Sequence, residues 1–509
     1  MRSTSALLAA LFWAGPATAQ PPLSAIDWLS EMGTVTVAPP APIADTAIRP
    51  DVTVTPLGTP RADAVGLLPG TTTGLPRTLW SASTSATLTR YLERLPERPL
   101  PAMQALYYTL LLAEANAPPD TADGAPFLRA RLAALRRFGA VEPALALIER
   151  AGGATPALFD GWFDLALLDG REGAACAALA AKPHLSADAR ARIYCLARAG
   201  DWQTAALILH GAEASGAIAE PDVTLLALYL EPELIDEVAP PVPPTTMTPL
   251  RFRLYEAIGT PLGTRDLPRA FAMADLRGTA GWKAEIVAAE RLAQTGALAA
   301  TRLLGLYTAR KPAASGGVWE RVAAVQALDR ALGAATDADL AEALPAAWEA
   351  ARAVGLEVVL SEVFANRLLA AAPLSGPLPG PLATRATDMV LLSPLYERAH
   401  HLRAPSSARD RLLAGIAKGT PNAADATTRM QSAIAAGFAS TTAAPEHQRL
   451  IAEGRLGEAI LAAAALLDKG AERVAPSAVR AAIATLRAAG LEDTARRAAL
   501  QILILGPDR

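Results

Sequence analysis

Cysteine, histidine and aromatic residues are scarce: 509 residues hold two cysteines, five histidines and 5% aromatics. The cysteines are Cys176 and Cys195, so the Cys-x-x-Cys spacing of a redox-active pair is missing. The histidines are His184, His210, His400, His401 and His447, and no His-Glu-x-x-His occurs among them. On an α-helix the adjacent pair would point about 100° apart, a poor arrangement for one metal ion. All five read as solvated surface residues. Acyl chemistry would show Gly-x-Ser-x-Gly or Ser-x-x-Lys, and nucleotide chemistry a phosphate-cradling glycine loop; the chain has neither. The sequence therefore assigns no catalytic residue, no metal ligand and no cofactor, and the chain is not read as an enzyme.

Long apolar runs are missing as well. After the first twenty residues no stretch offers about twenty uncharged apolar positions, so no transmembrane anchor is expected. The N-terminus reads Met1-Arg2, an apolar stretch from Ala6 to Ala14, then Gly15-Pro16 and Ala17-Thr18-Ala19 before Gln20. This is the pattern of a secretory signal peptide over residues 1–19, cleaved before Gln20. No cysteine follows that site to carry a lipid, so the expectation is a mature chain free in a bacterial periplasm. Loss of Arg2 leaves 46 of the 47 basic residues against 50 acidic ones. That balance argues against nucleic acid as a partner. In an oxidising compartment Cys176 and Cys195, 19 positions apart, point to a disulfide, with two inert buried thiols as the alternative. Closing a loop of that size stabilises by about 3 kcal/mol.

What the chain has in abundance is alanine, within a hydrophobic fraction of 51% and a charged fraction of 19%. Alanine has the best helix propensity and lets helices approach closely, so the composition favours packed α-hairpins over sheets. Residues 20–78 differ: Pro39-Pro40, Pro42, Pro50, Pro56, Pro60, Pro69 and Pro76 would break any helix, and the segment reads as extended or partly disordered. Its apolar islands, Ile26 to Leu29, Val52 to Val54 and Val65 to Leu68, are expected to dock, on the protein's own body or on a partner. From about residue 84 the period is helical, as in Leu88, Leu92 and Leu95. Interruptions at Pro240 to Pro249 and Pro373 to Pro381 divide the rest into helical regions 79–240, 247–373 and 382–509.

An internal repeat appears when five glycines are aligned: Gly139, Gly170, Gly200, Gly454 and Gly490. Five residues after each stands an alanine, namely Ala144, Ala175, Ala205, Ala459 and Ala495. Four before stand Leu135, Ala166, Leu196, Leu450 and Leu486; seven before stand Leu132, Phe163, Ile193, His447 and Ile483. One apolar face before a turn and a small contact residue after it make the pattern of an α-hairpin. The arrangement resembles the tetratricopeptide and related α-hairpin families, best in the first unit with Gly139, Ala144, Ile148, Ala151 and Pro156. The family's first-helix tryptophan and glycine are absent. The resemblance implies an all-α fold of stacked antiparallel hairpins, a TPR-like solenoid or superhelix, employed in holding proteins or peptides.

Arg129, Arg131, Arg136 and Arg137 read as a solvated helix face, and Trp162, Trp202, Trp282, Trp319 and Trp348 as core anchors of the repeats. The functional expectation is a periplasmic helical-repeat scaffold or adaptor for a protein or peptide partner in the envelope, in cell-wall assembly for instance, with murein as another candidate ligand. Two alternatives stand beside it. One is a murein-acting enzyme of the lytic transglycosylase kind, against which the absence of any Glu-Ser dipeptide counts. The other is a structural protein whose Ala/Thr-rich composition mimics antifreeze proteins.

Overall fold

A computed structural model describes residues 61–121, 124–312, 316–334, 337–375 and 380–506. Among them all regular elements are helices, and the β pairing is one isolated parallel bridge between Leu68 and Ala113. The expected signal peptide and the islands Ile26 to Leu29 and Val52 to Val54 lie outside the described residues.

Helix ends follow local rules. Gly139, Gly170, Gly200, Gly454 and Gly490 all sit at φ between 75 and 87°. In each case the next residue's N–H donates to the carbonyl four residues before the glycine: Ala140 to Leu135, Arg171 to Ala166, Asp201 to Leu196, Arg455 to Leu450 and Leu491 to Leu486. This closure satisfies carbonyls that the helix leaves without a partner, and glycine reaches the left-handed region without the Cβ clash. The two helices flanking each glycine touch: Pro126–Phe138 and Val141–Arg150, Phe159–Asp169 and Gly173–Ala181, Ala189–Arg198 and Trp202–Ala214, Pro445–Ala452 and Leu456–Ala465, Pro476–Ala488 and Glu492–Leu505. Ala144, Ala175, Ala205, Ala459 and Ala495 are all at 0% exposure in those contacts. The same backbone closure recurs at Gly216, Gly259, Gly296, Gly355 and Gly419. At the first four the fifth residue on is Pro221, Thr264, Thr301 or Leu360, so a search for glycine followed by alanine passes over them; Gly419 has Ala424 at that place, but exposed.

The packing centre is the helix Pro101–Leu112. Nine of its twelve residues are buried, as an all-round apolar helix requires. Its neighbours come from far along the chain. Gln501 Oε1 accepts from the Ala102 amide at 2.8 Å, and the Tyr107 hydroxyl donates to Asp468 at 2.9 Å. The Tyr108 hydroxyl donates to the Thr295 carbonyl at 2.9 Å, and the Thr295 hydroxyl donates to the Phe138 carbonyl at 2.7 Å. Helix Leu456–Ala465 lies against Leu79 and Trp80, and a Cβ at Gly457 would overlap the Trp80 ring.

Within the Pro/Thr-rich segment, residues 61–78 lie on this centre. The Leu67 and Leu68 amides donate to the Leu112 carbonyl at 2.8 and 2.9 Å. Arg131 holds the arrangement together at 1% exposure, which corrects its reading as part of a solvated face. Its guanidinium donates to the carbonyls of Leu111, Val65 and Ala113 at 2.7, 2.7 and 3.2 Å. Two of those carbonyls belong to the end of helix Pro101–Leu112, where partners within the helix run out and positive charge is favoured. Burial pushes the Arg131 guanidinium down to about 10, opposed by Asp63, whose carboxylate accepts from the Leu128 amide at 2.6 Å. Arg137 donates to the carbonyls of Glu93 and Leu95, and Arg136 pairs with Asp164 at 2.8 Å; of the four arginines only Arg129 is exposed.

Ion pairs cross the Pro240 to Pro249 stretch. Asp222 pairs with Arg190 before it and with Arg251 after it, at 2.7 and 2.6 Å. The buried Glu172 likewise pairs with Arg198 and with Arg253. Helices Glu357–Ser375 and Gly380–Leu392 pack on one another across the second proline cluster. No helix among the described residues is long and apolar enough to cross a membrane.

Candidate functional site

The structure joins Cys176 and Cys195 in a disulfide, with 5.1 Å between their Cα atoms. It links helix Gly173–Ala181 to helix Ala189–Arg198 and lies within the hairpin region. Neither cysteine, and none of the aligned glycines or alanines, lines either of the two hollows described next. These residues build the frame.

Two hollows stand out among the described residues. One, of about 360 Å³, is apolar and lies between helices Ala300–Thr308, Val318–Ala334 and Glu357–Ser375. Its polar wall is occupied: Glu290 accepts from Tyr307 at 2.8 Å and from Arg321 at 2.8 and 2.6 Å. The other encloses about 500 Å³, part of it open to solvent, between helix Gly380–Leu392, the 3-10 turn Tyr396–His401 and helix Ala408–Lys418. It combines an apolar floor with a few charged groups, the composition of a ligand site.

The floor is made by Leu391, Ala399, Leu413 and Ala417, all buried because their helices turn these faces to the core. Asp388 enters the wall from helix Gly380–Leu392 and is itself buried; Arg409 NH1 and NH2 both donate to it at 3.1 Å. Burial pushes the Asp388 carboxyl up, and Arg409 opposes the shift. Asp410 closes the first turn of helix Ala408–Lys418 in a capping box: it accepts from the Ser407 amide at 3.1 Å while the Ser407 hydroxyl accepts from the Asp410 amide at 3.1 Å. Arg403 pairs with Asp410 at 2.8 Å. Burial works against the Asp410 charge, yet the Ser407 and Ser406 amides hold its carboxyl below the usual range.

Tyr396 is buried at one side and donates to Asp493 at 2.8 Å; burial and Asp493 push its hydroxyl up. Glu397, at the mouth, pairs with Arg496 at 2.9 Å. Lys418 is exposed at the mouth and has no carboxylate partner among the described residues. His400 also lines the cleft, its Nδ1 2.8 Å from the Glu397 carbonyl. The rings of His400 and His401, neighbours in this 3-10 turn, lie side by side, with centroids 4.0 Å apart. No group of three or more His, Cys, Asp or Glu residues is placed to hold a metal among the described residues.

Two readings of scattered residues need correction. His447 is buried, not solvated, at 5% exposure, with Nδ1 2.8 Å from the Thr485 hydroxyl. Trp202 is 46% exposed and not a core anchor, whereas Trp348 is wholly buried and Trp162 and Trp282 nearly so. Trp202 stands at the first position of its helix, with its ring against that of Tyr229 at 6.0 Å between centroids. The cleft itself was not visible in the sequence, since its parts come from three separate elements and match no motif. Ser407 to Asp410, a capping pattern, is the one local signal within it.

Compared with protein-family models, curated proteins and solved structures, the chain matches none.

Proposed function

We propose that this chain is an exported binding scaffold of the bacterial periplasm, built of tetratricopeptide-like hairpins, and that the cleft beside Asp388 receives a peptide segment of a protein partner. One observation supports the reading most: each carboxylate of the cleft is already tied to an arginine, Asp388 to Arg409, Asp410 to Arg403 and Glu397 to Arg496. A general acid or a nucleophile must be able to exchange a proton or attack, and these groups are engaged in holding one another. An apolar floor framed by fixed polar groups selects a ligand by shape and charge.

Ala414 lies on the cleft wall and is half-buried, so Ala414→Trp places a ring in the space a ligand would fill. The immobilised mature protein should retain a subset of a random peptide library, and Ala414→Trp should lose that subset with its helical circular dichroism unchanged. Equal retention by the variant would remove the cleft from the account.

A further inference from the structure

The placing of the charged groups that line the cleft points to what it takes. Among the residues lining the cleft, Asp388, Asp410 and Glu397 each pair with an arginine, Arg496 being shared with Glu492, while the ammonium of Lys418 has no carboxylate partner among the described residues. The arrangement also has an inside and an outside. Asp388 is the deep member of its pair, with 10% of its side chain exposed against 30% for Arg409; Asp410 has 12% against 26% for Arg403. At these two pairs the carboxylate stands behind and the guanidinium in front; at the third the order is reversed, with Glu397 at the solvent edge, 64% exposed against 20% for Arg496. A guanidinium carries five N–H donors. Arg409 directs NH1 and NH2 at Asp388, and Arg403 directs NH2 at Asp410, so each keeps donors for a ligand, with its orientation fixed by the acid behind it. His400 anchors its ring through Nδ1 to the Glu397 carbonyl and adds a further polar edge.

Below this cationic mouth lies the apolar floor of Leu391, Leu413 and Ala417. The hollow, about 500 Å³ with its solvent-open part included, is too small for a folded element. A ligand residue that fits must carry an apolar side chain and a carboxylate together. Within a polypeptide those two features meet on one residue only at its C-terminus, since an internal aspartate or glutamate spends its side chain on the charge.

We infer that the cleft captures the C-terminus of a partner polypeptide, seating an apolar final side chain on Leu391 and Leu413 with its carboxylate before Arg403, Arg409 and Lys418. This rests on the peptide-binding reading and gives the peptide a chemistry. The test uses two pools of heptapeptides, randomised at the last three positions, one with free carboxyl ends and one amidated, passed over the immobilised full mature chain. The free-acid pool should yield retained sequences ending in apolar residues. Their amides should bind at least tenfold more weakly, as loss of a charge-assisted contact implies.

Lys418→Gln, an exposed change that leaves the fold alone, should weaken the free acids about threefold and the amides not at all. Amides that bind as tightly as acids, or acids indifferent to Lys418→Gln, would overturn the assignment of the carboxylate while leaving a peptide cleft in place. If neither pool is retained, or Ala414→Trp retains both, the peptide-binding reading fails and this inference fails with it.

Discussion

Arg131 and Arg403 are both arginines held close to an aspartate, and they end in opposite conditions. Arg131 is sealed beneath residues 61–68, its donors consumed by the carbonyls of Leu111, Val65 and Ala113. Arg403 leans on Asp410 from the solvent side, and Asp410 is already supplied by the amides of Ser406 and Ser407. The difference separates architecture from recognition. A guanidinium that satisfies backbone carbonyls in the interior cannot be removed without stranding them, whereas one backed by a self-sufficient carboxylate can face a ligand.

The largest expected effect breaks that comparison directly. Arg131→Met strands three carbonyls and leaves Asp63 without its nearest cation, so urea denaturation should show a loss of about 3–5 kcal/mol. Arg403→Gln should cost less than about 1 kcal/mol in the same measurement, because Asp410 keeps its amide donors, yet it should weaken peptide retention. Equal losses of stability would erase the distinction.

A smaller pair of effects sharpens the contrast between distant packing and local turn. Gly457→Ala drives a methyl into Trp80, and its cost should be about 1–3 kcal/mol in melting experiments. Gly200→Ala meets nothing within 4 Å, so its cost should be only the left-handed backbone, about 1–2 kcal/mol. If Gly457→Ala proves harmless, residues 79–80 do not rest on helix Leu456–Ala465 in solution.

The smallest effect is a pH dependence. Burial lowers the pKa of His447, against a weaker pull upward from Glu446. The unfolded chain therefore takes up this proton first as pH falls, so stability is full above about pH 6.5 and declines as pH drops from there towards the folded-state value. His447→Leu, apolar like the rest of its column, should flatten the change in urea midpoint between pH 7.5 and 5.5. An unaltered slope would place the titration elsewhere.

The same contrast explains what could be read from sequence. Turn glycines and the alanines after them obey rules confined to about ten residues, so Gly139 with Ala144 or Gly490 with Ala495 stand out in the chain. Gly216 or Gly355 uses the same backbone closure, but without the alanine it carries no distinguishing mark. Arg131 looks like any helix-surface arginine until residues 61–68 and the end of helix Pro101–Leu112 are brought around it, and those partners lie 18 to 66 positions away. His447 looked polar because its partner Thr485 is 38 positions distant. The cleft depends on Asp388 meeting Arg409 across a turn, a geometry no spacing rule announces.

Peptide titration of the wild type beside Ala414→Trp, with both shown to be folded by thermal melting, tests the binding scaffold most directly. The account predicts saturable binding by the wild type, abolished by the tryptophan. Binding that survives the blocked cleft, or is absent from both proteins, would contradict it.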